Sequence, residues 1–113
     1  VVNNYRDYDQ DRAVGKKTLI VRIGRERAEQ LYGWLGNIAT YMMWGCLVLG
    51  DSSFVLMLVC FACFVPYALL HGATRVQMRR IGRGRELNKV LGMTARNMFV
   101  FGVTTAIVTL FIL

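Results

Sequence analysis

Asn4, Asp7 and Asp11 are the residues whose types and spacing could do chemistry. On an α-helix each residue turns about 100°, so the three fall at i, i+3 and i+7 along one stripe. Two carboxylates one turn apart repel each other by roughly a few tenths of a kcal/mol. A divalent cation between them turns that repulsion into a site. Mg2+ suits it, because this ion is held by one or two carboxylates together with the oxygens of a substrate phosphate. Arg6, Arg12, Lys16 and Lys17 crowd the same stretch, as an anionic substrate requires. Asp9 points away from the stripe and reads as a solvated acid. The plain alternative is a charged linker whose acids and bases compensate one another in solvent.

The elements that must position this stripe are apolar. Hydrophobic residues make up 55% of the 113-residue chain and charged residues 19%, and the charges are confined to two blocks. That is the composition of a membrane protein. A net charge of +7 raises nucleic acid as a partner, but no aromatic-interleaved basic strand or zinc-finger spacing accompanies it. Cys46, Cys60 and Cys63 lie in apolar runs and read as small hydrophobes. The Cys60-Phe-Ala-Cys63 spacing lacks the polar setting that a redox or zinc site needs.

From Gln30 to Gly50 there is no Asp, Glu, Lys, Arg or His, a run long enough to cross a hydrocarbon core about 30 Å thick at about 1.5 Å per residue. Tyr32 and Trp34 stand where an interfacial aromatic belt would, and Asn37 and Thr40 call for hydrogen bonds to a neighbouring helix. Asp51 to Ser53 make a short turn, and Ser52 to Thr74 returns as a second span, kinked by Pro66 and closed by an interfacial His71. Arg75 to Arg96 is a second basic block, broken by Gly82 and Gly84 and followed by an amphipathic helix. Asn97 to Leu113 is then a third span. The expected organisation is therefore a cytoplasmic polar segment and connecting helix over 1–30, two spans over 31–74, a basic loop and amphipathic helix over 75–96, and a last span over 97–113. Because two crossings separate the basic blocks, both lie on one side, and the positive-inside rule makes that side the cytoplasmic face of the inner (plasma) membrane. Arg79 and Arg80 suit anchoring to anionic headgroups better than attraction of an anionic acceptor.

The stretch NNYRDYDQDRAVGKKTLIVRIG resembles the second aspartate-rich motif of the UbiA superfamily of intramembrane prenyltransferases. Asn3, Asn4, Arg6, Asp7, Asp11, Arg12, Gly15, Lys16, Thr18 and Leu19 carry the likeness, which is strongest to the dihydroxynaphthoate polyprenyltransferases of menaquinone biosynthesis. ELNKVLGMTARNMFVFG is similar to the entry into that family's last span. The resemblance implies an all-α membrane protein whose three transmembrane helices are the C-terminal part of a nine-helix bundle. The first aspartate motif would belong to the N-terminal remainder of the same protein, so this chain would supply half of an active site and be inactive alone. Opening on Val1 and closing on TLFIL, the sequence reads as a piece of a longer chain.

The resemblance further implies that Asp7 and Asp11 ligate Mg2+, with Asn4, Lys16, Arg6 and Arg12 as diphosphate contacts. The donor would be a polyprenyl diphosphate and the acceptor an aromatic ring. Asn4 could equally cap or bond a neighbouring helix, Arg6 and Arg12 could brace the loop by pairing with acids, and spacing leaves open which of Lys16 and Lys17 faces inward. A different class fits the spans and charges as well: a non-catalytic three-span subunit whose basic loops bind anionic lipid or a partner. Within the superfamily, an enzyme using another aromatic acceptor is the rival.

Overall fold

The structure is a computed structural model that describes residues 1–49 and 53–112. Its described residues form helices and no strand: α1 (Val2–Arg6), α2 (Tyr8–Ala13), α3 (Leu19–Ile23), α4 (Arg25–Val48), α5 (Phe54–Ile81), a 3-10 turn (Arg85–Leu87) and α6 (Asn88–Ile112). The three long helices lie along a molecule 54 × 23 × 18 Å in extent, α5 packing against both α4 and α6. The turn expected at Asp51 lies outside the described residues.

Among the described residues two helical stretches, Phe54–Ile81 and Arg85–Phe111, are long and apolar enough to cross a membrane, and α4 is not one of them. Its length of about 36 Å would serve, but Gly33, Gly36, Asn37 and Thr40 dilute its apolar character. Pro66 stays inside α5. The second basic block differs from expectation: α5 runs through Arg75, Arg79 and Arg80 to Ile81, and the expected amphipathic helix and last span are one continuous helix, α6, from Asn88. Arginine is a good helix former whose aliphatic stem lies along apolar surface, so a charge marks water without ending a helix. The connection shrinks to the residues around Gly82 (φ 69°) and Gly84 (φ 89°), whose left-handed backbone only glycine adopts without strain.

The core sits at the charged end. Val2 and Tyr5 of α1, Ile20 of α3, Ala28 and Tyr32 of α4, Met78 of α5 and Val90 of α6 pack together there. Elsewhere the long helices leave large apolar side chains outside, among them Met42, Phe54, Leu69, Phe99 and Leu110. Their interior contacts are polar as well as apolar. Tyr32 Oη lies 2.8 Å from Thr94 Oγ1, and Asn97 Nδ2 donates to Thr74 Oγ1 at 2.7 Å and to the Leu70 carbonyl at 3.3 Å. Tyr32, expected in an interfacial belt, is thus turned inward, while Trp34 is exposed. Thr40 bonds its own helix at the Gly36 carbonyl, and Asn37 is exposed without a partner among the described residues, so neither makes the expected interhelical bond.

Candidate functional site

The expected single helix through the aspartates is broken at Asp7, whose backbone (φ −90°, ψ 8°) separates α1 from α2. Asp11 N–H still donates to the Asp7 carbonyl at 2.8 Å, so the two acids remain one turn apart. Their carboxylates meet different fates. Asp7 is half-buried and is gripped by Arg6 through two bonds, Nε to Oδ1 at 2.8 Å and Nη2 to Oδ2 at 3.1 Å. The Arg6 guanidinium holds the Asp7 carboxyl below the usual carboxylate range, and Asp7 in turn raises Arg6. Arg6 also reaches Asn88 Oδ1 at 2.8 Å, tying α1 to the first residue of α6, which is the bracing role.

Asp11 is 7% exposed, and its Oδ2 is buried with no hydrogen-bond partner among the described residues. Its Oδ1 lies 3.9 Å from Lys16 Nζ. The sequence around Gly15 explains this approach. Lys16 N–H donates to the Asp11 carbonyl at 2.8 Å and Gly15 N–H to the Arg12 carbonyl at 3.2 Å, a Schellman closure that requires the left-handed Gly15 (φ 75°). That closure folds Lys16 back over Asp11. Thr18 Oγ1 then accepts from Val21 N–H and starts α3. Asn4 is half-buried and Arg12 exposed, both without side-chain partners among the described residues.

Charged residues beyond the motif lock this end, and the sequence reading missed two of them. The Arg25 guanidinium lies over the rings of Tyr5 (4.9 Å) and Tyr8 (5.1 Å), pairs with Asp9 at 3.2 Å and donates to the Gly82 carbonyl. Asp9, expected as a solvated acid, is therefore paired, with Arg83 also 3.6 Å away. Glu29 is buried and bound by Arg75 (3.3 Å) and Arg79 (2.8 Å), which joins α4 to α5. Neither Arg25 nor Glu29 stands out in sequence, since both pairings are tertiary.

Carboxylate oxygens are the donors that Mg2+ takes, and the bare Asp11 Oδ2 fits a cation, while Asp7 is already neutralised by Arg6. Among the described residues no three His, Cys, Asp or Glu side chains converge. A separate cleft of about 540 Å3 opens between α1, α4, α5 and α6, lined by Tyr32, Leu35, Tyr67, His71, Leu91 and Met98 among others. Asp7 and Asp11 do not line it.

Over the described residues these features define a helical protein without strands, with two potential membrane-crossing helices and a charged end built of short helices. Comparison with known protein families, with curated proteins and with solved structures finds no match.

Proposed function

We propose that this chain is the C-terminal part of a UbiA-type prenyltransferase that moves a polyprenyl group from its diphosphate to an aromatic acceptor, dihydroxynaphthoate fitting the motif best. The observation that carries the reading is Asp11: a buried residue with one carboxylate oxygen out of solvent and unpartnered among the described residues, and a lysine folded toward the other. Leaving a buried charged oxygen unpaired costs at least about 1–3 kcal/mol, which a bound cation would offset. Support also comes from Gly15, whose place in the motif is explained by the turn that brings Lys16 to Asp11.

In this reading Asp11 is the first Mg2+ donor of this half and Asp7, whose oxygens each keep an acceptor site beyond their Arg6 bonds, would be the second, with the opposing donors in the N-terminal remainder. Bound Mg2+ supplies positive charge to a departing diphosphate. Lys16 and the exposed Arg12 offer N–H donors to the same oxygens, while Arg6 keeps α1 in place through Asp7 and Asn88. Asn4 presents an unpartnered amide beside them. The donor's C–O bond breaks, diphosphate leaves, and the allylic carbon is attacked by an electron-rich ring, which for dihydroxynaphthoate then loses its carboxylate as carbon dioxide. Here α4 is a third span, and both basic segments face the cytoplasm of the inner membrane, where Mg2+ and soluble phosphates are at hand. The long apolar faces of α5 and α6 serve the bilayer and the donor tail.

The test is prenyl transfer by the intact protein given a polyprenyl diphosphate, Mg2+ and either dihydroxynaphthoate or hydroxybenzoate. Asp11→Asn and Asp7→Asn are each expected to reduce turnover by about 100-fold or more while the protein still inserts. Undiminished turnover in both variants overturns the assignment. No turnover by the intact protein with any aromatic acceptor favours the non-catalytic subunit instead.

A further inference from the structure

Arg96 is a base for which the described residues supply no acid. At the charged end carboxylates answer the bases: Asp7 meets Arg6, Asp9 meets Arg25 and Arg83, and Glu29 meets Arg75 and Arg79. Arg96 stands about 12 Å into α6 from Asn88, within a stretch apolar enough to cross a membrane. It is exposed, and its guanidinium donates only to the neighbouring Asn97 Oδ1, from Nε at 3.4 Å and Nη2 at 3.2 Å. The rest of the fork is open.

Its level along the bundle is set by Asn97, which bonds Thr74 and the Leu70 carbonyl on α5, so Arg96 lies close to the level of Arg75. There the protein buries an acid, Glu29, for Arg75 and provides none for Arg96. The cleft, where the His71 ring stacks with Tyr32 and Tyr67, meets α6 on another side, at Leu91, Thr94, Ala95 and Met98. At about 100° per residue, Arg96 shares one outward stripe with Lys89, Gly92, Phe99, Val103 and Leu110, all of them exposed. Helix side chains lean toward the N-terminus, so Arg96 extends over Gly92, where no atom lies within 4 Å of a Cβ position, toward Lys89. An arginine on a lipid-facing helix carries its head back to the interface in this way and finds phosphate there.

The stripe is thus basic at the Asn88 end, open in the middle and apolar below, the order of parts in a phospholipid. Lys89 is paired with Glu86 at 2.6 Å, which leaves its other N–H donors free. With Glu86 counted, Lys89 and Arg96 still leave a positive charge, which a net anionic headgroup neutralises and a zwitterionic one does not. We propose that this stripe of α6 binds an anionic glycerophospholipid, its phosphate held by Arg96 and Lys89 over Gly92 and an acyl chain lying along Phe99, Val103 and Leu110. The site is separate from the aspartates and from prenyl transfer, and requires only that α6 lies in a membrane.

Native mass spectrometry of the intact protein from detergent micelles, titrated with phosphatidylglycerol and separately with phosphatidylcholine of the same chains, is the test. We expect one phosphatidylglycerol to be held about fivefold or more tighter than phosphatidylcholine, and Arg96→Gln to weaken it by about the same factor. Gly92→Leu keeps both charges but fills the gap, and should also weaken it about fivefold. Arg96→Lys, which restores the charge without the fork, is expected within about threefold of wild type. Arg27→Gln, which removes an exposed charge from α4, should change the affinity less than about twofold. Thermal unfolding shows which variants are folded, and Gly92→Leu decides the matter should Arg96→Gln fail to fold. Equal affinity for the two lipids overturns the proposal, as does displacement of the lipid by millimolar inorganic phosphate. Unchanged phosphatidylglycerol affinity in folded Arg96→Gln or Gly92→Leu overturns it too, and assigns Arg96 to a contact with protein.

Discussion

At the charged end, Asp9 is shared by Arg25 and Arg83, and Arg6 chelates Asp7; along the long helices, Tyr32 meets Thr94, Asn97 meets Thr74, and His71 meets a backbone carbonyl. The first set uses charges near water, where each pair contributes little and another partner or solvent can replace it. The second uses neutral groups between helices that lipid cannot hydrogen-bond, so each lost partner stays lost. Glu29 belongs to both sets, a buried carboxylate at the charged end whose two arginines reach it from α5. The difference teaches that the charged end, which also holds the apolar core, can exchange its surface ion-pair partners, whereas the polar contacts between the long helices have no ready substitute.

The largest effect that would break this contrast is steric. Gly36→Ala places a Cβ into the His71 ring and should cost about 2–3 kcal/mol of stability in thermal unfolding of the micelle-bound protein. Gly33→Ala meets only the flexible Arg75 side chain and should cost less, and Gly72→Ala, with open space around it, should not destabilise. Next comes Glu29→Ala, expected to cost about 2 kcal/mol because the acid is buried while Arg75 and Arg79 keep access to water. Asp9→Ala, at an exposed pair, should cost about 0.5 kcal/mol or less by the same measurement. Equal losses for the two acids would erase the distinction between the regions.

Asn97→Ala removes both bonds to α5 and is expected to cost about 1 kcal/mol. The smallest effect is the Arg6–Asp7 pair. Since the folded carboxyl titrates below its ordinary value, its stabilisation is fully present above the unfolded carboxylate range and is lost as pH falls through the lowered folded value. Acid titration of wild type against Asp7→Asn should therefore diverge only below the ordinary aspartate range. A difference developing near neutral pH would contradict the pairing.

Much of this architecture was legible because apolar runs and glycines speak locally. Gly82 and Gly84 mark the α5–α6 connection, and the run after Ser52 marks α5. The helix ends were not legible from charge, since Arg75 to Arg80 extend a helix as readily as they start a loop. At the candidate site, one-turn spacing of Asp7 and Asp11 holds, but their unequal burial does not follow from spacing. It depends on Arg6 and on the packing of α2 against α3. The approach of Lys16 to Asp11 follows from Gly15 once its left-handed turn is seen. Glu29, Arg25 and the His71 stack were invisible, because their partners lie 16 to 57 positions away or on facing helices.

The central claim is that Asp11 holds a divalent cation against a diphosphate. Calorimetric titration of the intact protein with a polyprenyl diphosphate, with and without Mg2+, tests it most directly. The account predicts at least about tenfold tighter binding with Mg2+ in wild type and no such gain in Asp11→Asn. Binding indifferent to Mg2+ in wild type, or an undiminished Mg2+ gain in Asp11→Asn, would contradict it.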